Sequence, residues 1–264
     1  MTLSHTAIEC QNLTCRYGKR LAVDALNLSV ASGEFFGFLG PNGAGKSTTI
    51  QMLKGFLRPT DGDVRVVGYD VVQDPVGVKA VMGIVAEDGA LYEQLTAAEY
   101  LEFAGTMQGL SLAETRRRAT DLLERLSLTA AANRVIADYS LGMKKKTALA
   151  GALIHAPQVL FLDEPFNGVD PFSVQVITDI LTELTRTQGV TVFYTSHVLE
   201  SMERLCNRIA VLCEGKLRAV GTVAELAVQA GAEPGTPLEM VYRTLVGEGQ
   251  RIATAPDWWG VPKA

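Results

Sequence analysis

The distribution of apolar and polar residues divides the chain into strand-like and helix-like stretches. Residues from about Ile8 to Val30 are typical of an antiparallel β layer. Unbroken apolar runs end in Leu39, Leu162 and Tyr194, and a run without alternation suits a strand buried on both faces of a parallel sheet. Between about 96 and 126 the apolar residues recur at helical spacing. The pattern therefore predicts an α/β core, an antiparallel β layer and an inserted helical region.

Composition and charge narrow the classes of protein that fit this pattern. At 264 residues and 47% hydrophobic content, the chain is long enough for one sizeable core. A net charge of −5 argues against a nonspecific nucleic-acid surface, so no nucleic-acid partner is expected. No apolar stretch approaches the ~20 residues of a membrane span, and the short polar start before Ile8 predicts no signal peptide. The run of lysines 144–146 is predicted to be a solvated helix face.

A glycine-rich loop follows the first apolar run. It has the pattern G-x-x-x-x-G-K-S, and its residues are Gly40, Pro41, Asn42, Gly43, Ala44, Gly45, Lys46 and Ser47, with Thr48 continuing into a predicted helix. Glycines allow backbone N–H groups to curl around phosphate oxygens, and the start of a helix favours an anion. Lys46 is predicted to contact the β/γ-phosphates and the Ser47 hydroxyl to bind Mg²⁺. The loop therefore predicts a nucleoside triphosphate site.

Two adjacent acids close the apolar run that starts at Val159. Asp163 stands at the carboxyl edge of that predicted strand, where it is expected to hold Mg²⁺. Glu164 follows directly and is predicted to polarise the water that attacks the γ-phosphate. Together with the phosphate loop, these acids predict nucleotide hydrolysis.

Further motifs, in order along the chain, make it resemble the ATP-binding cassette (ABC) ATPases over roughly residues 6–225. Tyr17 precedes the phosphate loop, and residues 139–143 (YSLGM) occupy the place of the LSGGQ signature. Residues 167–170 (NGVD) resemble the D-loop, and His197 stands at the position of the switch histidine. The resemblance implies a P-loop NTPase (RecA-like) core, a cassette domain over 1–228 with a helical subdomain at about 94–150, and a C-terminal extension over 229–264.

The resemblance also assigns roles to residues outside the loop, with ATP and Mg²⁺ as the bound groups. Tyr17 is expected to stack on adenine, and His197 to contact the γ-phosphate. Ser140, Gly142 and Asp170 are expected to complete the nucleotide site across a subunit interface. Glu87 takes the position of the family's glutamine, where it is expected to contact Mg²⁺ and take part in catalysis, although a glutamate cannot donate an amide hydrogen bond.

Assembly and partners follow from the same resemblance. One phosphate loop and one signature occur in the chain, so a second cassette, most simply a copy of this chain, is expected to complete each site. A separately encoded permease is the expected membrane partner, with the chain on the cytoplasmic face of the membrane and export as the expected direction. The permease is expected to dock in a groove beside Glu87 lined by Tyr92, Leu95 and Tyr100.

Alternative functions remain open from the sequence alone. One is a soluble cassette ATPase that acts as a nucleotide-dependent clamp, although no long coiled coil or second cassette is present in the sequence. Another is a regulatory module with negligible catalysis. The adjacent Trp258 and Trp259 near the C-terminus are expected to pack on the domain or to lie in a disordered end, and a contact with a partner or with the membrane interface is the alternative.

Overall fold

The computed structural model describes residues 6–87 and 91–247, and these fold into two β-sheets with helices around them. Trp258 and Trp259 lie outside the described residues. The predicted α/β class is confirmed, with a P-loop core sheet, a separate antiparallel layer and a helical insertion.

The smaller sheet is the antiparallel layer that the sequence predicted. Its strands are β1 (Thr6–Tyr17), β2 (Arg20–Ala31), β4 (Asp61–Val66) and β5 (Tyr69–Asp70), in the spatial order β2-β1-β4-β5. Ile8 and Leu13 of β1 and Val23 of β2 are fully buried, so this sheet presents one apolar face to the core. The turn between β1 and β2 brings Tyr17 and Arg20 to the edge of the layer.

The larger sheet is the core sheet that carries the site. Its strands are β3 (Phe35–Leu39), β6 (Met82–Val85), β7 (Val159–Asp163), β8 (Thr191–Thr195), β9 (Arg208–Cys213) and β10 (Lys216–Gly221), in the order β10-β9-β3-β8-β7-β6. Within the described residues all its neighbouring pairs are parallel except β9–β10. Phe193 packs against Phe38 and Phe161 of neighbouring strands, with ring centroids 5.2 and 5.6 Å apart. Unbroken apolar runs are required here because both faces of these strands are covered.

Helices cover both faces of the core sheet. They are α1 (Lys46–Leu53), α2 (Pro75–Val81), α6 (Pro171–Gln188), α7 (Leu199–Leu205), α8 (Val223–Gln229) and α9 (Leu238–Val246). In α9, Leu238 and Val241 are fully buried against the main core. The carboxylate of Glu203 accepts a hydrogen bond from the backbone N–H of Leu238 at 3.3 Å, which fixes the start of α9 on α7.

The inserted helical region contains α3 (Ala97–Met107), α4 (Leu112–Arg125) and α5 (Leu141–Leu153). The helical pattern over 96–126 is thus two helices, because Ser111 caps a new helix by accepting a hydrogen bond from the N–H of Glu114. Two short 3₁₀ turns, at 129–131 and 136–138, lead from α4 to α5.

The prediction of a solvated lysine face on α5 is wrong. Lys145 and Lys146 are only 3% and 4% exposed, whereas Lys144 lies nearer the surface and pairs with Glu93. The buried ammonium of Lys145 donates hydrogen bonds to the carbonyl groups of Ala86 and Glu87. These partners satisfy a charge that burial would otherwise make very unfavourable.

Candidate nucleotide site

The phosphate loop has the strand–loop–helix geometry that its sequence predicts. It leaves β3 after Leu39 and ends at Gly45, which precedes α1 with φ = 103°. A side chain at Gly45 would overlap the backbone oxygen of Ala22, so both the backbone conformation and the close approach of β2 require glycine here. Residues of the loop and of the first turn of α1 line one cavity, and a helix N-terminus of this kind favours an anion.

That cavity has a volume of about 390 Å³ and gathers most of the predicted site residues. Its lining includes Tyr17, Asn42, Gly43, Gly45, Lys46, Ser47, Thr48, Glu87, Asp163, Glu164 and His197. Gly40, Pro41 and Ala44 belong to the loop but do not line the cavity. Tyr17 is 52% exposed at its mouth, so one ring face is open to a planar ligand.

Lys46 supplies the positive charge inside this cavity. Its ammonium donates hydrogen bonds to the carbonyl oxygens of Gly40 and Pro41, the latter at 3.1 Å. Burial lowers the pKa of Lys46, while the carboxylates of Glu164 and Asp163 act in the opposite direction. A partly desolvated cation next to oriented N–H groups is suited to binding a polyphosphate.

Asp163 and Ser47 contribute side-chain oxygen atoms to the same cavity as Lys46. The Asp163 carboxylate accepts a hydrogen bond from the Thr195 hydroxyl at 2.7 Å, which orients it at the end of β7. The pairing of β7 with β8 places these two residues directly opposite each other. The Ser47 hydroxyl begins α1 and lines the same cavity.

Glu164 and His197 form a contact pair in the lining of the cavity. The Glu164 carboxylate accepts a hydrogen bond from the backbone N–H of His197 and lies 3.3 Å from its ring Nε2. Glu164 also has φ = 44°, in the left-handed region that ordinary residues avoid. Such backbone strain concentrates at functional sites, so it supports a specialised role for this carboxylate.

The pKa of Glu164 is raised above its usual value. Burial is the largest cause, the neighbouring Glu87 carboxylate adds to it, and contact with His197 opposes it. A carboxylate that binds protons more readily than usual while remaining in a polyphosphate site has the properties of a general base.

This raised pKa leads to a prediction about stability without nucleotide. Below the usual pKa of 4.5, Glu164 is protonated in both the folded and unfolded states and has no effect. Above its raised folded-state pKa it is ionised in both states and lowers the free energy of unfolding. We therefore expect Glu164→Gln to unfold at a higher temperature than wild type at about pH 8, with a difference that shrinks towards about pH 4.

Thermal unfolding of both proteins across this pH range measures the effect. Glu200→Gln, at an exposed position three residues beyond His197, serves as the control for an acid-to-amide change outside the cavity. A glutamine variant at position 164 that is less stable than wild type at about pH 8 would contradict the inferred direction.

The signature and D-loop residues lie together but outside the cavity. Ser140 caps α5 by accepting a hydrogen bond from the Met143 N–H, and Asp170 caps α6 by accepting one from the Ser173 N–H at 2.9 Å. The two helix starts touch, because a side chain at Gly142 would meet the Asp170 carboxylate at 2.6 Å. The predicted site is therefore divided into two clusters on one chain.

Some cavity residues have no counterpart in the sequence predictions. Arg20 and Ala22 of β2 line the cavity, and so does Thr195 at the end of β8. Arg20 follows Tyr17 across the β1–β2 turn. The proximity of a cation to an aromatic residue in the sequence was therefore the signal that could have placed Arg20 in the site. Thr195 is recognisable only once β7 and β8 are known to be neighbours.

The groove beside Glu87 differs from the predicted one. It has a volume of about 630 Å³, and its lining includes Lys54, Phe56, Ile84 and Lys145. Tyr100 lines an adjoining cavity that shares Phe56 and Ile84, whereas Tyr92 and Leu95 line neither. Phe56 is 59% exposed, and its place in the loop after α1 gave no sign of this position.

Comparisons with known proteins agree with this site. The family model described as "ABC transporter" matches residues 23–167. The linearmycin resistance ATP-binding protein LnrL of Bacillus subtilis is 41% identical over 86% of this chain and 72% of its own length. The daunorubicin/doxorubicin resistance ATP-binding protein DrrA of Streptomyces peucetius is 40% identical over 86% of this chain and 68% of its own length.

Solved structures give the same result. One titled as the ATP-binding subunit of an ABC transporter superposes with a TM-score of 0.84 at 31% identity, covering 91% of this chain and 99% of that one. A dimeric ATP-binding cassette in a post-hydrolysis state with ADP and Pi has a TM-score of 0.73 at 26% identity, covering 81% of this chain and 98% of that one.

The fold and the site thus define a nucleotide-hydrolysing cassette, and the chain belongs to the ABC transporter family. It is an ATP-binding and ATP-hydrolysing subunit that powers membrane transport. Nothing favours the soluble-clamp alternative or a module without catalysis. Cassettes of this family work as dimers with transmembrane partners. In residues 6–87 and 91–247, no helix has both the length and the apolar character needed to cross a bilayer.

Proposed function

We propose that two copies of this chain form a pair of composite Mg-ATP sites that drive a separately encoded export permease. The observation that carries the proposal is the Glu164–His197 contact in the lining of the phosphate-loop cavity. Residues 1–228 serve as the cassette, with the helical subdomain at about 94–150, and residues 229–264 as an extension.

The oxygen groups of the cavity fit Mg²⁺ beside a triphosphate. The Ser47 hydroxyl and the carboxylates of Asp163 and Glu87 line one space, and hard oxygen ligands are those that Mg²⁺ prefers. Among the described residues, no group of three His, Cys, Asp or Glu side chains could hold a metal alone. Mg²⁺ bound to phosphates needs only one or two carboxylates, so the arrangement suits it.

Hydrolysis follows from the positions of the chain's own side chains. Mg-ATP, when bound, supplies the phosphoryl group and a metal that offsets its charge. Tyr17 stacks on the adenine ring, and Lys46 balances the charge of the β/γ-phosphates. Glu164 accepts a proton from the attacking water, and His197 holds both that carboxylate and the γ-phosphate.

Pairing of two copies would bring the separated clusters together. Ser140, Gly142 and Asp170 lie outside their own chain's cavity, at two touching helix starts suited to an anion. Leu141, Phe172 and Val198 adjoin these motifs in sequence and are 47%, 67% and 54% exposed. Head-to-tail pairing would cover these apolar side chains and place each signature over the partner's ATP.

The relatives suggest the class of cargo and the place of work. LnrL and DrrA are named for resistance to linearmycin and to daunorubicin/doxorubicin, which supports export of an antibiotic-like compound. The chain then works at the cytoplasmic face of the membrane, held there by its permease. We infer that the permease docks in the groove beside Glu87, against the exposed ring of Phe56.

Affinity purification of the tagged chain from gently solubilised native membranes tests this function. We expect a polytopic membrane protein at near-equal stoichiometry, and its loss with Phe56→Asp, which places a charge in the apolar groove. Met240→Asp is the matched control, because Met240 is 56% exposed on α9, away from the groove. Recovery of the chain without any membrane protein would contradict the transporter assignment.

A further inference from the structure

Lys145 is a buried cation whose hydrogen bonds include two to backbone carbonyl groups. It lies in the second turn of α5, is 3% exposed, and donates to the carbonyl oxygens of Ala86 and Glu87. Its neighbour Lys144 instead reaches the surface and pairs with the Glu93 side chain. The two lysines therefore have different roles in spite of their adjacent positions.

Through its carbonyl partners, Lys145 holds the backbone that follows β6 in position. A buried ammonium is tolerated only with good hydrogen-bond geometry, and charge-assisted hydrogen bonds are the strong ones. Because the acceptors are main-chain oxygens, the bonds determine the path of residues 86 and 87. The direction of the Glu87 side chain depends on that path.

Glu87 connects this backbone path to the nucleotide site. Its side chain lines both the nucleotide cavity and the groove containing Phe56, and its charge helps to raise the pKa of Glu164. Displacement of the Glu87 side chain would change the oxygen ligands available to a metal. It would also change the electrostatic effect of the Glu87 carboxylate on Glu164. Groups that orient a metal ligand in this way commonly alter affinity or activity as much as the ligand does.

The helix that carries Lys145 also begins with the signature. Ser140 caps α5 and Gly142 lies in its first turn, against Asp170. Lys146 extends this connection, because the Asp170 carboxylate partly offsets the effect of burial on the Lys146 pKa. One rigid helix thus contacts the interface cluster and the Glu87 backbone.

We propose that Lys145 is a positioning residue that ties the signature end of α5 to Glu87. Contact of the signature with the partner's nucleotide is thereby transmitted to the metal-facing carboxylate of the same chain. The inference rests on the proposed function, in which Glu87 contacts Mg²⁺ and the signature contacts the partner's ATP.

Substituting Lys145 by methionine or by glutamine distinguishes the effect of its hydrogen bonds from the effect of its side-chain volume. Both have about the length of the lysine stem, but only glutamine keeps N–H donors for the two carbonyls. We expect Lys145→Met to raise the Mg²⁺ concentration for half-maximal turnover roughly 10-fold and to speed amide exchange after β6. Lys145→Gln should recover most of both effects, and Lys144→Met should match wild type.

Two measurements on the full chain test the proposal. Hydrogen–deuterium exchange without nucleotide or metal reports the backbone directly at residues 83–87. Mg²⁺ titration of ATP turnover is made for Lys145→Met, Glu87→Ala and the double variant. Because Lys145 acts through the Glu87 side chain, its substitution should add little in the Glu87→Ala background.

The outcomes separate this proposal from the function on which it rests. The positioning role would be overturned if Lys145→Met showed wild-type amide exchange and wild-type Mg²⁺ dependence. It would also be overturned if Lys145→Met changed the Mg²⁺ dependence equally whether or not Glu87 is present. Wild-type Mg²⁺ dependence in Glu87→Ala, which removes the side-chain oxygens, would instead overturn the metal role of Glu87. If Lys145→Met does not fold, Lys145→Gln is used for the same test. We expect it to raise the Mg²⁺ concentration for half-maximal turnover about threefold, because the charge is lost while the N–H donors remain.

Discussion

We expect Glu164→Gln to slow ATP hydrolysis by roughly 10²–10⁴-fold, the usual contribution of a general base. Glutamine keeps the shape of the side chain and an oxygen that can accept the hydrogen bond from the His197 N–H. It cannot accept the proton of the attacking water. Binding of ATP should persist, because Lys46 and the phosphate loop are unchanged.

Steady-state turnover and ATP-dependent dimerisation, measured on the same preparation, test this expectation. The glutamine variant should accumulate as an ATP-bound dimer, whereas wild type returns to monomers as it hydrolyses ATP. Glu200→Gln, an exposed substitution on the following helix, should turn over like wild type. Normal hydrolysis by Glu164→Gln would show that another group activates the water.

Gly142→Asp should abolish turnover while leaving ATP binding by the monomer intact. A side chain at Gly142 meets Ser173 and the Asp170 carboxylate, and burial of a second carboxylate there adds like-charge repulsion. The new charge would also repel the phosphates that the start of α5 is proposed to bind. We expect a loss of at least about 100-fold, comparable to removal of a transition-state donor.

Binding of a fluorescent ATP analogue, the unfolding temperature and dimer formation separate the possible causes. Gly142→Ala, which adds volume without charge, should lose less activity than the aspartate variant. Loss of ATP binding by a folded Gly142→Asp monomer would mean that the signature belongs to the site of its own chain.

The core sheet and phosphate loop were predictable because their signals are local. A strand covered on both faces must be apolar throughout, as residues 159–162 are. The spacing of the glycines predicts the geometry of the loop without reference to any distant residue. The roles proposed for Asp163 and Glu164 follow from their position at the end of such a strand. Their meeting with residues 195–197 depends only on β7 and β8 being neighbours.

The lysine run and the permease groove were not predictable from local pattern. A charged residue is usually solvated, and the acceptors of Lys145 are 58 and 59 residues away in the chain. Phe56 stands in a loop after α1, with no periodicity to indicate that its ring is exposed. In both cases the deciding partner comes from a distant segment, so only the folded arrangement identifies it.

The central claim is that each ATP site is built from two chains, and complementation between two inactive variants tests it most directly. Lys46→Ala removes the phosphate-binding cation and Gly142→Asp the signature, so each homodimer is inactive. A mixed dimer has one site in which both elements are intact. Co-expression should therefore restore about a quarter of wild-type turnover, since random pairing makes half the dimers mixed and each has one working site. Activity no higher than that of either variant alone would contradict the two-chain site.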